Sequence, residues 1–263
     1  QYVQMTNQVE CTRMPRGKMP FNSNGEEAHT FGLEPNFGCC TANFNQGWPK
    51  FALSAVMRSE DGLAVAAIAP VKAAAMVEGR KVELEVDTQY PFRDSLRLIM
   101  LPEESFEFSV SLRIPGFAQG ARIRIGGVEE QAEPGTFYTK RKRWEKGEEL
   151  EVELIFRAQF VERPGGMEAL RRGPLFYALP IQAEYERIEY EKDGVERKFP
   201  YCDYGIRPKS DWAFGFGSGE ADVVHDEMPE MPFDRERPPV MLETEMVPLD
   251  WKKEDGMCSE RPE

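Results

Sequence analysis

From Gly62 onward, apolar residues recur at every second position in short runs. Val82, Leu84 and Val86 alternate with charged residues, and Leu96, Leu98 and Met100 keep the same spacing. Phe106, Phe108, Val110, Leu112 and Ile114 form a longer run, and Leu150, Val152, Leu154 and Phe156 another. Turn residues separate them: Glu78-Gly79, Pro115-Gly116, Gly126-Gly127, Pro134-Gly135 and Lys146-Gly147. A period of two puts one side of each strand in a core and the other in water. Many such strands with regular turn signals predict a mainly β chain, built as antiparallel β-sandwiches or a barrel.

The pattern differs before Gly62. Thr12 to Gly38 shows no sustained period and reads as a long loop. Thr41 to Met57 reads as a helix, with Ala42, Phe44, Trp48, Phe51, Ala52 and Ala55 at approximately helical spacing. Pro49 kinks that helix or shifts its start. Farther on, Arg163-Pro164-Gly165-Gly166 marks a boundary between two sandwich units. Beyond it, Leu175 to Leu179 reads as a buried strand, and Tyr185 to Arg197 as a hairpin around Asp193-Gly194. Trp212, Phe214 and Phe216 alternate, which favours a strand facing a core over a sugar-stacking platform. Met228 to Pro239 is proline-rich and reads as extended connecting chain.

Composition narrows the function classes. The chain has 263 residues and a formal net charge of -13. That charge opposes nonspecific binding to nucleic acid or to an anionic membrane. No apolar run reaches the roughly 18 residues of a membrane helix. Five cysteines, an odd number, fit free thiols or a metal site better than a secreted disulfide framework. Unpaired thiols favour a reducing, cytoplasmic compartment. The chain opens on Gln1 with no leader-like segment, which reads as a fragment or processed piece.

Cys39 and Cys40 carry the most chemistry. Neighbouring cysteines bridge each other only in distorted geometry. Two adjacent thiols suit a soft metal such as zinc, or a reactive thiolate beside a ligated one. Simple packing is the alternative, since free cysteine is among the most buried residue types. The pair lies at the loop-to-helix junction, where a helix N-terminus lowers a thiol pKa. His29, in the preceding loop, is expected at the surface. Glu10-Cys11 reads as an ordinary structural pair, and Lys140 to Arg143 as a solvated basic face paired with nearby Glu residues.

Several segments resemble one family. Asn36-Phe37-Gly38-Cys39-Cys40-Thr41-Ala42-Asn43, followed by Gln46-Gly47-Trp48-Pro49-Lys50-Phe51, is similar to the cysteine-pair segment of the β-L-arabinofuranosidases of glycoside hydrolase family 127. Ser111-Leu112-Arg113-Ile114-Pro115-Gly116-Phe117-Ala118 resembles that family's strand and turn. Gly135-Thr136-Phe137-Tyr138 through Arg143-Trp144-Glu145-Lys146-Gly147-Glu148 resembles its hairpin. Arg171-Arg172-Gly173-Pro174-Leu175-Phe176-Tyr177 resembles a later strand. The likeness runs to about Leu179 and weakens afterward.

The resemblance implies an (α/α)6 catalytic barrel followed by jelly-roll-like sandwich domains. Residues 1–57 would then end the barrel, 58–162 form the middle sandwich and 163–263 a C-terminal sandwich. It also implies Zn2+ held by three cysteines and a glutamate, with Cys39 as nucleophile and ligand and Cys40 as ligand. The remaining ligands and the acid/base glutamate are expected upstream, and Glu10-Cys11 lacks the family's ligand spacing. The implied partner is a carbohydrate, an arabinofuranoside or another plant glycan. A non-catalytic carbohydrate-binding or structural sandwich protein is the alternative, and a redox or metal-storage protein a third.

Overall fold

The computed structural model describes residues 8–13, 29–32 and 42–260. These residues are mostly strand, and the helical part is minor. Two compact units emerge: Gly47–Tyr177 with Ala221–Glu243, and Gln1–Gln46 with Ala178–Glu220 and Thr244–Glu263.

The first unit begins with helix α1 (Gly47–Ala55) and ten strands: β1 (Val56–Arg58), β2 (Gly62–Val65), β3 (Val71–Val77), β4 (Arg80–Thr88), β5 (Ser95–Pro102), β6 (Phe106–Arg113), β7 (Ala121–Ile125), β8 (Val128–Ala132), β9 (Phe137–Trp144) and β10 (Glu148–Leu154). They form two sheets, ordered β1-β2-β6-β9 and β3-β4-β5-β10-β7-β8. The expected alternation is what closes them on each other. Leu84, Leu98, Met100, Leu150 and Ile123 from one sheet share a core with Leu63, Phe108, Leu112 and Trp144 from the other. Trp144 is fully buried, and its Nε1–H donates to the Phe108 carbonyl at 3.0 Å. That bond removes the cost of burying an indole N–H.

One pairing departs from the antiparallel expectation. β2 runs parallel to β6, with Gly62 opposite Ser109 and Leu63 opposite Val110. Gly62 lies so close to β6 that a Cβ there would meet the Ser109 carbonyl oxygen at 1.8 Å. Beside it, the Ser109 hydroxyl donates to Asp61 at 2.6 Å. Arg141 of β9 donates to the same carboxylate at 2.5 Å. The serine bond leads in holding the Asp61 carboxyl below its ordinary range, with the arginine adding to it.

The helix is shorter than its apolar spacing predicts. It stops at Ala55, and Val56 and Met57 enter β1. Val56 pairs with Val65, and the Ala55 carbonyl accepts from the Ala66 and Ala67 amides. Sheet pairing therefore overrides helix continuation. Of the helix residues, Ala55 alone is buried, whereas Trp48, Phe51 and Leu53 stay exposed at 64%, 45% and 81%.

After the sandwich come β11 (Ala158–Arg163) and β12 (Met167–Arg172), joined by a turn at Pro164–Gly166, and the two-residue β13 (Leu175–Phe176). The buried strand expected at Leu175 to Leu179 is instead a short edge with Phe176 and Leu179 exposed. It pairs on one side only, with β12. Later strands pair in twos: β14 (Ala183–Ile188) with β17 (Asp203–Pro208), β15 (Tyr190–Lys192) with β16 (Val195–Arg197), β18 (Phe214–Phe216) with β21 (Met246–Pro248), β19 (Asp222–His225) with β20 (Val240–Glu243), and β22 (Lys253–Glu254) with β23 (Met257–Cys258). The expected hairpin at Asp193-Gly194 is β15–β16, and both turn residues have positive φ. The 212–216 aromatics are half-buried rather than fully so, with Trp212 6.2 Å from Trp251 between ring centroids.

Two substitutions test the packing. Leu98→Ala is expected to cost about 3 kcal/mol, since it empties a fully buried site. Gly62→Ala is expected to lower the urea midpoint at least as much, because its Cβ collides with backbone rather than with a movable side chain. A Gly62→Ala midpoint equal to wild type rules out the close β2–β6 approach.

Candidate functional site

Cys39 and Cys40 lie outside the described residues. Among the described residues no group of three or more His, Cys, Asp or Glu side chains is placed to hold a metal. The other sequence candidates have definite positions. Cys11 meets Ile206 of β17 through two backbone hydrogen bonds, and burial pushes its thiol pKa up. A raised pKa keeps a thiol protonated and unreactive. Glu10 is paired with Lys253. Both residues thus have structural partners.

His29 corrects its expected surface position. It is 1% exposed, and neither ring nitrogen has a hydrogen-bond partner. In the same short segment Phe31 exchanges backbone hydrogen bonds with Tyr204 of β17, while its ring stays exposed. Gly32 lies against Asp203, where a Cβ would strike the carboxylate. Burial lowers the His29 pKa, so the ring is kept neutral.

The basic run Lys140 to Arg143 occupies β9, an edge strand, and the strand period divides it between two sides. Arg141 pairs with Glu107 and Asp61. Lys140 reaches Glu130 of β8, and Lys142 reaches Glu148 of β10, so these two link one sheet to the other. Tyr138 also donates to Glu130, at 2.9 Å. Charge on an edge strand also discourages pairing with another chain. No catalytic role follows from this arrangement.

A groove of about 480 Å³ crosses the outer side of the six-stranded sheet. Arg93 apart, its charged groups satisfy one another: Arg97 with Asp87, Arg122 with Glu153, and Arg124 with Glu129 and Glu151. Such exposed pairs contribute little individually.

The sequence reading missed a denser polar cluster. Arg172 of β12, 6% exposed, grips the Asp94 carboxylate with both terminal nitrogens. Its guanidinium also lies 5.9 Å from the Phe156 ring centroid. Gly173 lets the chain pass that ring, since a Cβ there would contact it at 3.0 Å. The Tyr177 hydroxyl and Arg172 Nε are buried without partners, and burial leads in raising the Tyr177 pKa. Asp94 and Arg172 are far apart in sequence, and nothing in the local pattern joins them.

The three family-like motifs at 111–118, 135–148 and 171–177 have physical roles. In the first, Ile114 and Gly135 tie two turns through backbone hydrogen bonds. In the second, Trp144 fills the core and Gly147, at positive φ, donates to the Met100 carbonyl. In the third, Arg172 binds Asp94. All three build scaffold.

These features define a two-sheet β-sandwich domain with a β-hairpin extension. Residues 63–156 match the family model described as "Beta-L-arabinofuranosidase, GH127 middle domain". The matched range opens in β2 and closes at Phe156, one of the buried core residues. The likeness to a GH127 middle domain therefore covers the two-sheet sandwich, well under half of the chain. Among solved structures, a GH127 beta-L-arabinofuranosidase from Geobacillus stearothermophilus T6 is 22% identical, with 81% of this chain and 33% of that one covered and a TM-score of 0.45. A GH127 beta-arabinofuranosidase is 17% identical over 80% of this chain and 34% of that one, with a TM-score of 0.48. A third structure, a glycoside hydrolase, is 15% identical over 66% and 37%, with a TM-score of 0.49. The chain spans about a third of the length of these structures. No curated protein matches it.

Two measurements probe the polar groups. Arg172→Gln is expected to cost about 2–3 kcal/mol, less than a wholly buried pair because the Asp94 side chain keeps 24% exposure. Arg172→Met combined with Asp94→Leu is expected to recover part of that loss in a double-mutant cycle. His29 sets an acid limit of the opposite origin. Its folded-state pKa is lowered, so its contribution is complete above the ordinary 6.5 and declines as pH falls from there through the lowered value. His29→Leu is expected to flatten the fall in urea midpoint between pH 7.5 and 5, and an unchanged slope contradicts the neutral buried ring.

Proposed function

We propose that this chain is the C-terminal part of a retaining glycoside hydrolase of the β-L-arabinofuranosidase type, acting on an arabinofuranoside or a related plant glycan. The observation that carries the reading is the middle-domain match across residues 63–156. The cysteine-pair motif, which lies just ahead of α1, supports the finer chemistry. The exposed Trp48, Phe51 and Leu53 also support it, since a nine-residue helix needs a packing partner to persist in water.

Cys39 is the nucleophile in this proposal, and Cys39 and Cys40 are two of the ligands of a zinc ion. Two adjacent thiols are a donor set that zinc accepts well. Bound zinc would keep the coordinating thiols deprotonated at neutral pH. The Cys39 thiolate attacks the anomeric carbon as the glycosidic C–O bond breaks, and an acid group from another part of the protein protonates the leaving oxygen. Water then attacks the same carbon, giving its proton to the acid group that the first step left deprotonated, as the C–S bond breaks and the thiolate returns. Two inversions retain configuration, the covalent logic of retaining glycosidases with sulfur as nucleophile.

The test uses the full-length protein. Cys39→Ser is expected to abolish turnover per folded molecule, and Cys40→Ser to lower zinc content and turnover together, because serine is protonated at neutral pH and a poor zinc ligand. Near-wild-type turnover in Cys39→Ser returns the pair to a packing role and favours a non-catalytic sandwich protein. The 263-residue chain alone, with zinc added, is expected to hydrolyse no arabinofuranoside, since an acid group and further ligands come from elsewhere in this reading.

A further inference from the structure

The ribbon β19–β20 and the loop between its strands belong to the same unit as the sandwich. One side chain gathers their attachment. Arg93, in the loop before β5, donates through Nη1 to the Pro239 carbonyl at 2.9 Å and approaches His225 Nδ1 at 3.3 Å. Its Nη2 donates to the Asp226 carbonyl. Next to it, Phe92 packs edge-on against Phe233 of the same loop, with centroids 5.0 Å apart. Arg93 thus spans both ends of the 226–239 loop.

The contact with His225 has a fixed polarity. A guanidinium has only donors and stays charged at every pH of interest. The imidazole nitrogen facing it must therefore be an acceptor, so His225 holds its proton on Nε2 and is neutral. Protonation fills that lone pair, ends the hydrogen bond and sets two cations against each other. We propose that Arg93 and His225 form an acid-sensitive clasp, which holds the 226–239 loop and its ribbon to the sandwich while His225 is neutral and loosens them when it is protonated.

The surrounding charges favour this. Arg93 and Asp94 face His225 from the loop before β5, and Arg172 faces it from β12. Asp94 is the sole carboxylate of that set, and Arg172 already holds both its oxygens. The Asp226 carboxylate next in sequence accepts from the Glu227 amide. Desolvation, then Arg93 and Arg172, lower the His225 pKa, against a smaller opposing effect of Asp94. The sign follows. Attachment is complete above the ordinary histidine value of 6.5 and weakens as pH falls from there to the lowered value. Each unit of lowering corresponds to a tenfold change in the attachment equilibrium.

The experiment is hydrogen exchange on the full-length protein at pH 7.5 and 5, corrected for intrinsic exchange and read at peptides covering 222–226 and 239–243. Local exchange is expected to rise several-fold at pH 5 in wild type. His225→Gln, neutral at both pH values and able to accept from Arg93, is expected to remove most of that rise. Arg93→Gln is expected to give fast exchange at both. Because His29 also titrates, the comparison rests on the local peptides and on the His225→Gln control. A histidine titration by NMR placing His225 at or above 6.5 overturns the proposal. So does an equal acid-induced rise in His225→Gln, or no rise in wild type.

Discussion

The dry interface between the two sheets is the constraint on which the sandwich depends. Each strand contributes alternate residues to it, so one slipped register would exchange a core row for a charged one. Phe108, Leu112, Leu98, Met100 and Leu150 are fully buried because they share one parity with their neighbours. The intervening residues form cross-strand ion pairs on the wet side, such as Arg97 with Asp87 and Arg122 with Glu153. The core supplies stability and the charges supply solubility. The edge strand β9 joins these roles, since Trp144 completes the core while Lys140 and Lys142 bridge the sheets.

Outside that core, polar contacts replace apolar burial. The hairpin after the sandwich is fixed by Arg172 on Asp94, and the β19–β20 ribbon by Arg93 on carbonyls and an imidazole. The later strands come mostly in pairs. Isolated two-stranded ribbons are marginal in water and depend on what they pack against. Directional bonds hold such elements in one place but are more sensitive to charge state than apolar packing.

The family-like motifs take their meaning from this architecture. Pro115-Gly116, Trp144 with Gly147, and Arg172-Gly173 all stand where strands turn or where a large group enters the core. Their residue types are set by packing and backbone conformation. This explains how residues 63–156 can match a middle-domain model through residues that pack and turn the chain. The proposed chemistry rests on Cys39 and Cys40, on a separate segment.

The sequence by itself determined the mainly β class, the core rows of β4, β5, β6 and β10, and the turns at Gly79, Gly147 and Asp193-Gly194. Alternation and positive-φ residues are local properties, legible over a few positions. It also marked the cysteine pair, through residue chemistry alone. Tertiary structure decided the rest. The parallel β2–β6 pairing needs the close approach of Gly62 to Ser109, which no local pattern announces. Helix α1 stops early because Val56 finds Val65 across a sheet. Residues 29–32 meet β17 through Phe31 and Tyr204, and His29 is buried. Arg172 finds Asp94, and Arg93 finds His225, across long stretches of chain. Apart from the Val56–Val65 hairpin, the deciding partner is distant in sequence, so the energy that fixes the element exists only once the chain has folded.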